Sequence, residues 1–526
     1  MTTPLWLQTE YNFNILDIHD ISDIEFAPYN TIYKILSDNY SEKYSPDDRI
    51  VLYSNTILKY NVLEYIQESM YSFDIDNSFL LIVSPSDIAD ELNQVRVSLS
   101  TNNNSIHSIV RIPETTLKNK DVNPSLIPKP LPASFCVLAW ASLKINARGN
   151  FTPCCVYKGA IKDDNGSKFS VFDNASIDDV YNSTEMNELR DDFIHGKHPE
   201  KCSYCWNLEN NNCHSPRIEN IETFKKIVGV IDFEEPSIEN ILSVDADLGS
   251  TCNLKCRICG PGLSSKIMKE ELTYATNPIQ IETLLKLKDE NNKFNRKNEM
   301  FWNSMISILP NVERLNFFGG EPLANLKQIP FLQLLVDKSY SKNIRLHYNT
   351  NGTLLPVGIV PVWNKFNEVD IAFSIDDTGK RFEYQRSGGL WSDVEANIDT
   401  LLSQSSTTYT FSVWATVNNQ NVFYLDELLD WCNTNNFGAV HLNILESPDY
   451  LNIKYLADNT KKIIIDKLVG SSHTKLHNVI TYLQTTMGST SKEEDFKKYI
   501  RKIDVRRDED FSIAHSDFSN IINYTK

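Results

Sequence analysis

Three cysteines in one short stretch, Cys252, Cys256 and Cys259 in DLGSTCNLKCRICG, are spaced to hold metal. Thiolates are soft ligands suited to iron–sulfur clusters and to zinc. A structural zinc site usually closes with four ligands, and this loop supplies three. Three thiolates on a four-iron cluster leave one iron open to a small chelating ligand. A second group comprises Cys136, Cys154, Cys155, Cys202, Cys205 and Cys213. With Cys432 the chain holds ten cysteines, nine of them between positions 136 and 259. Disulfide scaffolds belong mainly to small secreted domains, and this is a chain of 526 residues whose N-terminus does not read as an export signal. Clustered thiols in such a chain suggest metal.

The elements that must carry these residues are legible as patterns. ILSVDADL, just before the three-cysteine loop, reads as a strand. VERLNFFGG, NIRLHYNT, VDIAFSID, YTFSVWATVN and AVHLNIL read as five more. NEMFWNSMISIL and VFYLDELLDWCN are helical segments between some of them. Strand–helix repetition implies a parallel sheet with crossover helices. Six units predict an α/β architecture, a partial TIM-like (β/α)6 barrel over 241–446, with its site at the C-terminal ends of the strands. Ahead of it, residues 1–125 read as a small α/β domain, with RIVLYS and SFLLIVSP as strands and Thr56–Ser72 as a helix. Residues 119–134, with four prolines, read as a linker. The cysteine-rich region, 135–217, includes a predicted helix in STEMNELRDDFIHG, capped by Ser183 and stopped by Gly196. The 218–240 section is acidic and connecting. The 447–526 extension is lysine-rich and partly helical, and no function is read from it.

C-x3-C-x2-C at the end of a first strand resembles the signature of the radical S-adenosylmethionine (SAM) superfamily. That resemblance implies a [4Fe–4S] cluster on Cys252, Cys256 and Cys259 that binds and reductively cleaves SAM. The products would be methionine and a 5'-deoxyadenosyl radical, which takes a hydrogen atom from substrate. FFGGEP resembles the family's glycine-rich motif after strand two, so Gly319, Gly320, Glu321 and Pro322 are expected beside the SAM amino group. By the same resemblance Asn349, with Thr350 and Asn351, ends strand three. Ser374 and Asp376 end strand four, Arg386 meets the SAM carboxylate, Asn418 contacts the ribose and Ile444 covers the adenine. Cys136, twelve residues, Gly149, four residues and Cys154 resemble the opening of SPASM and twitch regions, which hold auxiliary clusters. The resemblance implies one auxiliary [4Fe–4S] cluster on Cys136, Cys154, Cys202 and Cys205. Zinc remains an alternative there, Cys155 can replace Cys154, and Cys213 can replace another ligand. Two departures stand out: the region precedes the barrel, and it has too few cysteines for two auxiliary clusters.

Other residues admit two readings. Cys432 and Cys213 fit either a packed thiol or a hydrogen-atom donor. His347 and His441 fit either packing or the barrel cavity, Asp245 and Asp247 fit the barrel mouth, Asp376 and Asp377 fit a hold on a positive substrate group, and Tyr384 is unassigned. Trp140, Tyr204 and Trp206 fit either shielding of the auxiliary thiols or ordinary core packing. The formal charge of -18 argues against generic binding to nucleic acid backbone. No run of about 20 apolar residues is present to span a bilayer. Oxygen-sensitive clusters imply a reducing compartment, so the cytoplasm is expected. A one-electron donor such as flavodoxin or ferredoxin is implied. The SPASM-like region implies a peptide or protein substrate, with the N-terminal domain as a leader-peptide reader. A small molecule from cofactor, sugar or nucleoside biosynthesis is the alternative.

Overall fold

The structure is a computed structural model that describes residues 14–17, 50–53, 81–83, 132–210, 214–224, 236–404 and 408–526. The Thr56–Ser72 helix, most of the proline-rich linker and Cys213 lie outside the described residues. Two compact units interleave along the chain: Met1–Ala141, Val156–Lys158 and Thr184–Ser237 form one, and Ser142–Cys155, Gly159–Ser183 and Ile238–Lys526 the other.

In the first unit, β1 (Asn14–Asp17), β2 (Ile50–Tyr53) and β3 (Leu81–Val83) form a parallel three-stranded sheet. The two strands expected from RIVLYS and SFLLIVSP are β2 and β3. Helices α1 (Thr184–Ile194), α2 (Ser203–Asn210) and α3 (Pro216–Thr223) follow in the cysteine-rich region. Ser183 immediately precedes α1, but its hydroxyl donates to the Val180 carbonyl. Gly196, past the helix end, takes φ +75°, where a side chain would be strained.

The second unit is built on an eight-stranded sheet. Its strands are β4 (Ser142–Ile145), β5 (Phe151–Thr152), β6 (Ser243–Asp247), β8 (Arg314–Phe318), β9 (Arg345–Thr350), β10 (Glu368–Phe373), β12 (Thr408–Val417) and β13 (Ala439–Ile444). The spatial order is β13-β12-β10-β9-β8-β6-β4-β5. Six strands, β6 to β13, run parallel in chain order, as the alternation of strand and helix predicts. The pairings make a linear array with two edges among the described residues, not a closed barrel. The cysteine-rich segment adds β4 parallel to β6, and β5 antiparallel to β4. A two-residue ribbon, β7 (Lys255–Cys256) with β11 (Arg386–Ser387), lies outside the main sheet.

A parallel sheet covered by helices on both faces reads as nearly continuous apolar runs. Here β8 and β9 alternate. Leu315, Phe317, Leu346 and Tyr348 are fully buried, whereas Arg314, Asn316, Phe318, Arg345, His347 and Asn349 are half-buried. The apolar face packs Phe317 on Tyr348, and Tyr348 on Trp363, at 4.9 Å between centroids. Each such ring contributes about 1.5–3 kcal/mol by leaving water. The opposite face is polar, as expected of a surface that lines a site. Around the sheet lie α4 (Ser265–Tyr274), α5 (Pro278–Arg296), α6 (Gln328–Asp337), α7 (Gly379–Gln385), α8 (Trp391–Leu402) and α9 (Leu425–Thr434). The extension continues as α10 (Asp458–Val469), α11 (His477–Thr485) and α12 (Thr490–Arg507). Among the described residues no helix is long and apolar enough to cross a membrane.

Candidate active site

The three-cysteine loop leaves the C-terminal end of β6, and neighbouring strand ends hold it. From the end of β8, Gly320 N donates to Gly249 O at 2.7 Å, and Glu321 N to Thr251 O at 2.9 Å. The approach is backbone to backbone. A Cβ on Gly319 would stand 2.7 Å from Gly249 O, and one on Gly320 2.6 Å from Thr251 O. Gly319 also takes φ +137°. Both glycines are therefore required by close approach. From β9, Asn351 Nδ2 donates to Asn253 Oδ1 at 3.0 Å, and Asn253 Nδ2 donates to Thr353 Oγ1 at 2.8 Å.

Glu321 ties the two strand ends together. Its buried carboxylate accepts from Thr350 Oγ1 and Asn351 N, both at 2.8 Å, and from Leu323 N at 3.0 Å. Burial raises its pKa, and these hydrogen bonds oppose the rise. Pro322 opens the short turn that Glu321 caps.

Pairing of β7 with β11 sets Arg386 opposite Cys256. Its guanidinium is buried, with Nη2 2.8 Å from Asp376 Oδ2 and Nη1 donating to Cys256 Sγ at 3.8 Å. Arg386 Nε is buried with no partner among the described residues. Asp376 Oδ1 in turn accepts from Thr416 N at 2.8 Å. Cys256 is lowered to about 7, chiefly by the thiol hydrogen bond from Cys259, with the Arg386 cation helping. Cys259 is correspondingly raised by that bond, and burial pushes Cys252 up to about 11. Leu254 N also donates to Cys252 Sγ at 3.4 Å. The set is three interacting thiols, one ready to ionise, beside a buried cation with a free donor. That donor set fits an iron–sulfur cluster with an anionic ligand on its open side. Among the described residues no three His, Cys, Asp or Glu side chains converge on one metal ion. A four-iron cluster spreads its thiolates over different irons, so such convergence is not required of its ligands.

The remaining expected contacts fall as follows. Asn349 is the penultimate residue of β9, with Oδ1 3.0 Å from His347 Nε2. Ser374 follows β10, and its N donates to Thr350 O at 2.7 Å. Asn418 follows β12 and is fully buried. Its side chain shapes the local turn, donating to Thr416 O and accepting from Gln420 N, both at 2.9 Å. Ile444 is half-buried at the end of β13, opposite Val417.

On the polar face, register sets Lys144, Asp245, Asn316, His347, Asp370 and Thr410 side by side across six strands. Asn316 Nδ2 donates to Asp245 at 2.7 Å, His347 Nδ1 lies 2.6 Å from Asp370 Oδ2, and Thr410 donates to Asp370 at 2.9 Å. Burial raises Asp245 and Asp247, and Lys144 opposes both shifts. Lys144 comes from the cysteine-rich segment, and sequence reasoning missed it, since only tertiary pairing brings β4 beside β6. His441 stacks on the partly exposed Trp414 at 4.2 Å. Cys432 is fully buried on α9, and its thiol is pushed up to about 12 by burial.

In the first unit, Cys136 is buried and pushed up to about 12, with Cys202 and Cys205 among the groups that act on it. Burial also raises Cys205, against a backbone hydrogen bond from Arg217. Arg217 pairs with Glu209 at 2.6 Å and lies 5.0 Å from the Trp206 ring. Cys154 and Cys155 belong to the second unit, partly buried and exposed respectively.

Residues 136–206 match the SPASM family, an iron–sulfur cluster-binding domain. No curated protein matches the chain. Among solved structures it is similar to a histidine-tagged anSMEcpe with bound AdoMet, at 19% identity over 44% of this chain and 59% of that one, with a TM-score of 0.30. It is also similar to "Native anSMEcpe with bound AdoMet and Kp18Cys peptide", at 17% identity over 47% and 63%, TM-score 0.27. A third is Streptococcus suis SuiB bound to precursor peptide SuiA, at 14% identity over 66% and 70%, TM-score 0.27. The match thus spans about three fifths of the first of these. The chain thus carries a SPASM-type iron–sulfur cluster-binding region over residues 136–206, and its three-cysteine loop stands at the end of β6.

Proposed function

We propose that the chain is a radical SAM enzyme acting on a peptide or protein. The observation that carries the class is the packing of GGEP against the three-cysteine loop, with Arg386 opposite Cys256. Cys252, Cys256 and Cys259 would hold a [4Fe–4S] cluster, and Cys136, Cys154, Cys202 and Cys205 an auxiliary one. Bound there, cluster and SAM supply reductive carbon–sulfur cleavage and a radical able to take hydrogen from an unactivated carbon. The chain's own residues bind and orient. Arg386, fixed by Asp376, offers its spare Nε to a carboxylate. The backbone of Gly319–Pro322 lines the amino-group side, and Asn349, Ser374, Asn418 and Ile444 stand at the strand ends where the nucleoside would lie. The polar belt of β4 to β12 faces the substrate and fixes it by hydrogen bonds.

A peptide substrate is the reading that the SPASM-type region supports. A one-electron donor of the flavodoxin or ferredoxin kind would serve the cluster, and a reducing cytoplasm would preserve it. The test is anaerobic. With SAM and dithionite, the reconstituted chain forms 5'-deoxyadenosine, and the Cys252/Cys256/Cys259 triple-Ala variant forms none. That variant keeps about four irons and four sulfides if the auxiliary cluster is right. Loss of all iron from a folded variant refutes the second cluster, and equal 5'-deoxyadenosine from both proteins refutes the class.

A further inference from the structure

The C-terminal extension, from which the sequence yields no role, reaches back to the cysteine loop through its longest helix, α12. Tyr499 donates to Arg257 O at 2.5 Å. Arg507 Nη1 donates to Lys255 O at 2.8 Å. Both carbonyls flank Cys256. The Arg257 side chain, between Cys256 and Cys259, is wholly buried. It gives Nη2 to Asp504 Oδ1 at 2.6 Å and lies 3.7 Å from the Tyr384 ring. Asp504 is itself fully buried and satisfied by four donors: Arg257, Tyr384 OH at 2.6 Å, Tyr524 OH at 3.0 Å and Phe511 N at 2.9 Å.

Arg507 differs from Tyr499 and Asp504 because it brings positive charge. Its side chain is 3% exposed and pairs with Glu270 at 2.8 Å, while Lys255 meets the same carboxylate at 3.1 Å. Around the loop Lys255, Arg257 and Arg507 are balanced by Glu270, Asp504 and Glu509, so loss of Arg507 would leave a net negative charge there.

We propose that α12 is a working part of the cluster site: Tyr499, Asp504 and Arg507 are positioning residues that fix the cysteine loop, and Arg507 supplies positive charge that eases reduction of the bound cluster. The proposal rests on the reading that Cys252, Cys256 and Cys259 hold that cluster. A buried cation stabilises the more negative, reduced state, so its removal makes reduction harder.

The experiment has two readouts on the full chain, in wild type, Tyr499→Phe, Arg507→Gln, Arg507→Lys and Lys502→Gln, which removes an exposed charge from the same helix. The first is hydrogen exchange of the 252–259 amides without a cluster. Loss of one charge-assisted or carbonyl-anchoring bond is expected to speed exchange about tenfold in Tyr499→Phe and Arg507→Gln, and not in Lys502→Gln. The second is the midpoint potential of the cluster that responds to SAM by electron paramagnetic resonance. Arg507→Gln is expected to lower the equilibrium for accepting an electron about tenfold, roughly 59 mV more negative. Arg507→Lys should restore the potential. Unchanged exchange in Tyr499→Phe, which removes one hydroxyl and is the safer variant to fold, overturns the clamp. An unmoved potential in Arg507→Gln overturns the charge role. Faster exchange in a protein whose loop takes no cluster would support the clamp and refute the proposed function instead.

Discussion

Replacing Gly320 with alanine places a methyl group between two backbone segments that already touch. Its carbon would lie 2.6 Å from Thr251 O, 2.8 Å from Ser250 C and 2.9 Å from Leu263 O. None of these is the end of a flexible side chain. The loops must part by about 0.8 Å to reach ordinary contact. Parting lengthens the hydrogen bonds from Gly320 N to Gly249 O and from Glu321 N to Thr251 O, now 2.7 and 2.9 Å. Two weakened bonds cost about 1 kcal/mol each, and overpacking adds about 1–3 kcal/mol. The expected loss is about 3–5 kcal/mol, concentrated where the cysteine loop is held. The assay is urea unfolding of the cluster-free chain, paired with iron content after anaerobic reconstitution. Gly260→Ala is the control, since Gly260 directly follows Cys259 yet a Cβ there meets nothing within 4 Å. Gly320→Ala should lower the unfolding midpoint and the iron content, and Gly260→Ala should leave both near wild type. Equal behaviour of the two variants would refute the close-approach argument.

Two further expectations come from buried carboxyls. Asp377, held by Arg381 at 2.8 Å, is pushed up to about 7 by burial, against a usual value of 3.8. Between those values the folded chain keeps a proton that the unfolded chain releases. Asp377 is therefore expected to lower stability by about 1.4 kcal/mol per pH unit as pH rises from roughly 4 to 7, and Asp377→Asn should make the slope in urea unfolding shallower by about that amount. Glu321→Ala leaves Asn351 N and Leu323 N without their acceptor. It should destabilise the chain by roughly 2–4 kcal/mol in the same assay, with Glu321→Gln milder because one amide oxygen remains.

Much of the site is readable in the chain because its parts are local. The three cysteines share eight residues of one loop, GGEP is contiguous, and the six parallel strands announce themselves by apolar runs between turns. The polar face was legible only in fragments. His347 and Asp370 sit in different strands, and nothing local states that they pair at 2.6 Å. Asn418, a ribose contact only by the family resemblance, has its side chain hydrogen-bonded within its own turn, a contact that no local pattern announces.

By itself the sequence determined the alternation of strand and helix and the loop that carries the three thiols. These depend on residue type and short spacing. Only the tertiary structure decided that the cysteine-rich segment lends β4 and Lys144 to the main sheet, and that Arg386 stands across from Cys256. It also decided that α12 returns nearly 250 residues later to grip Arg257. Such contacts join segments with no shared period. Backbone pairing and the need to neutralise buried charge select them, and neither leaves a mark in any short window of sequence.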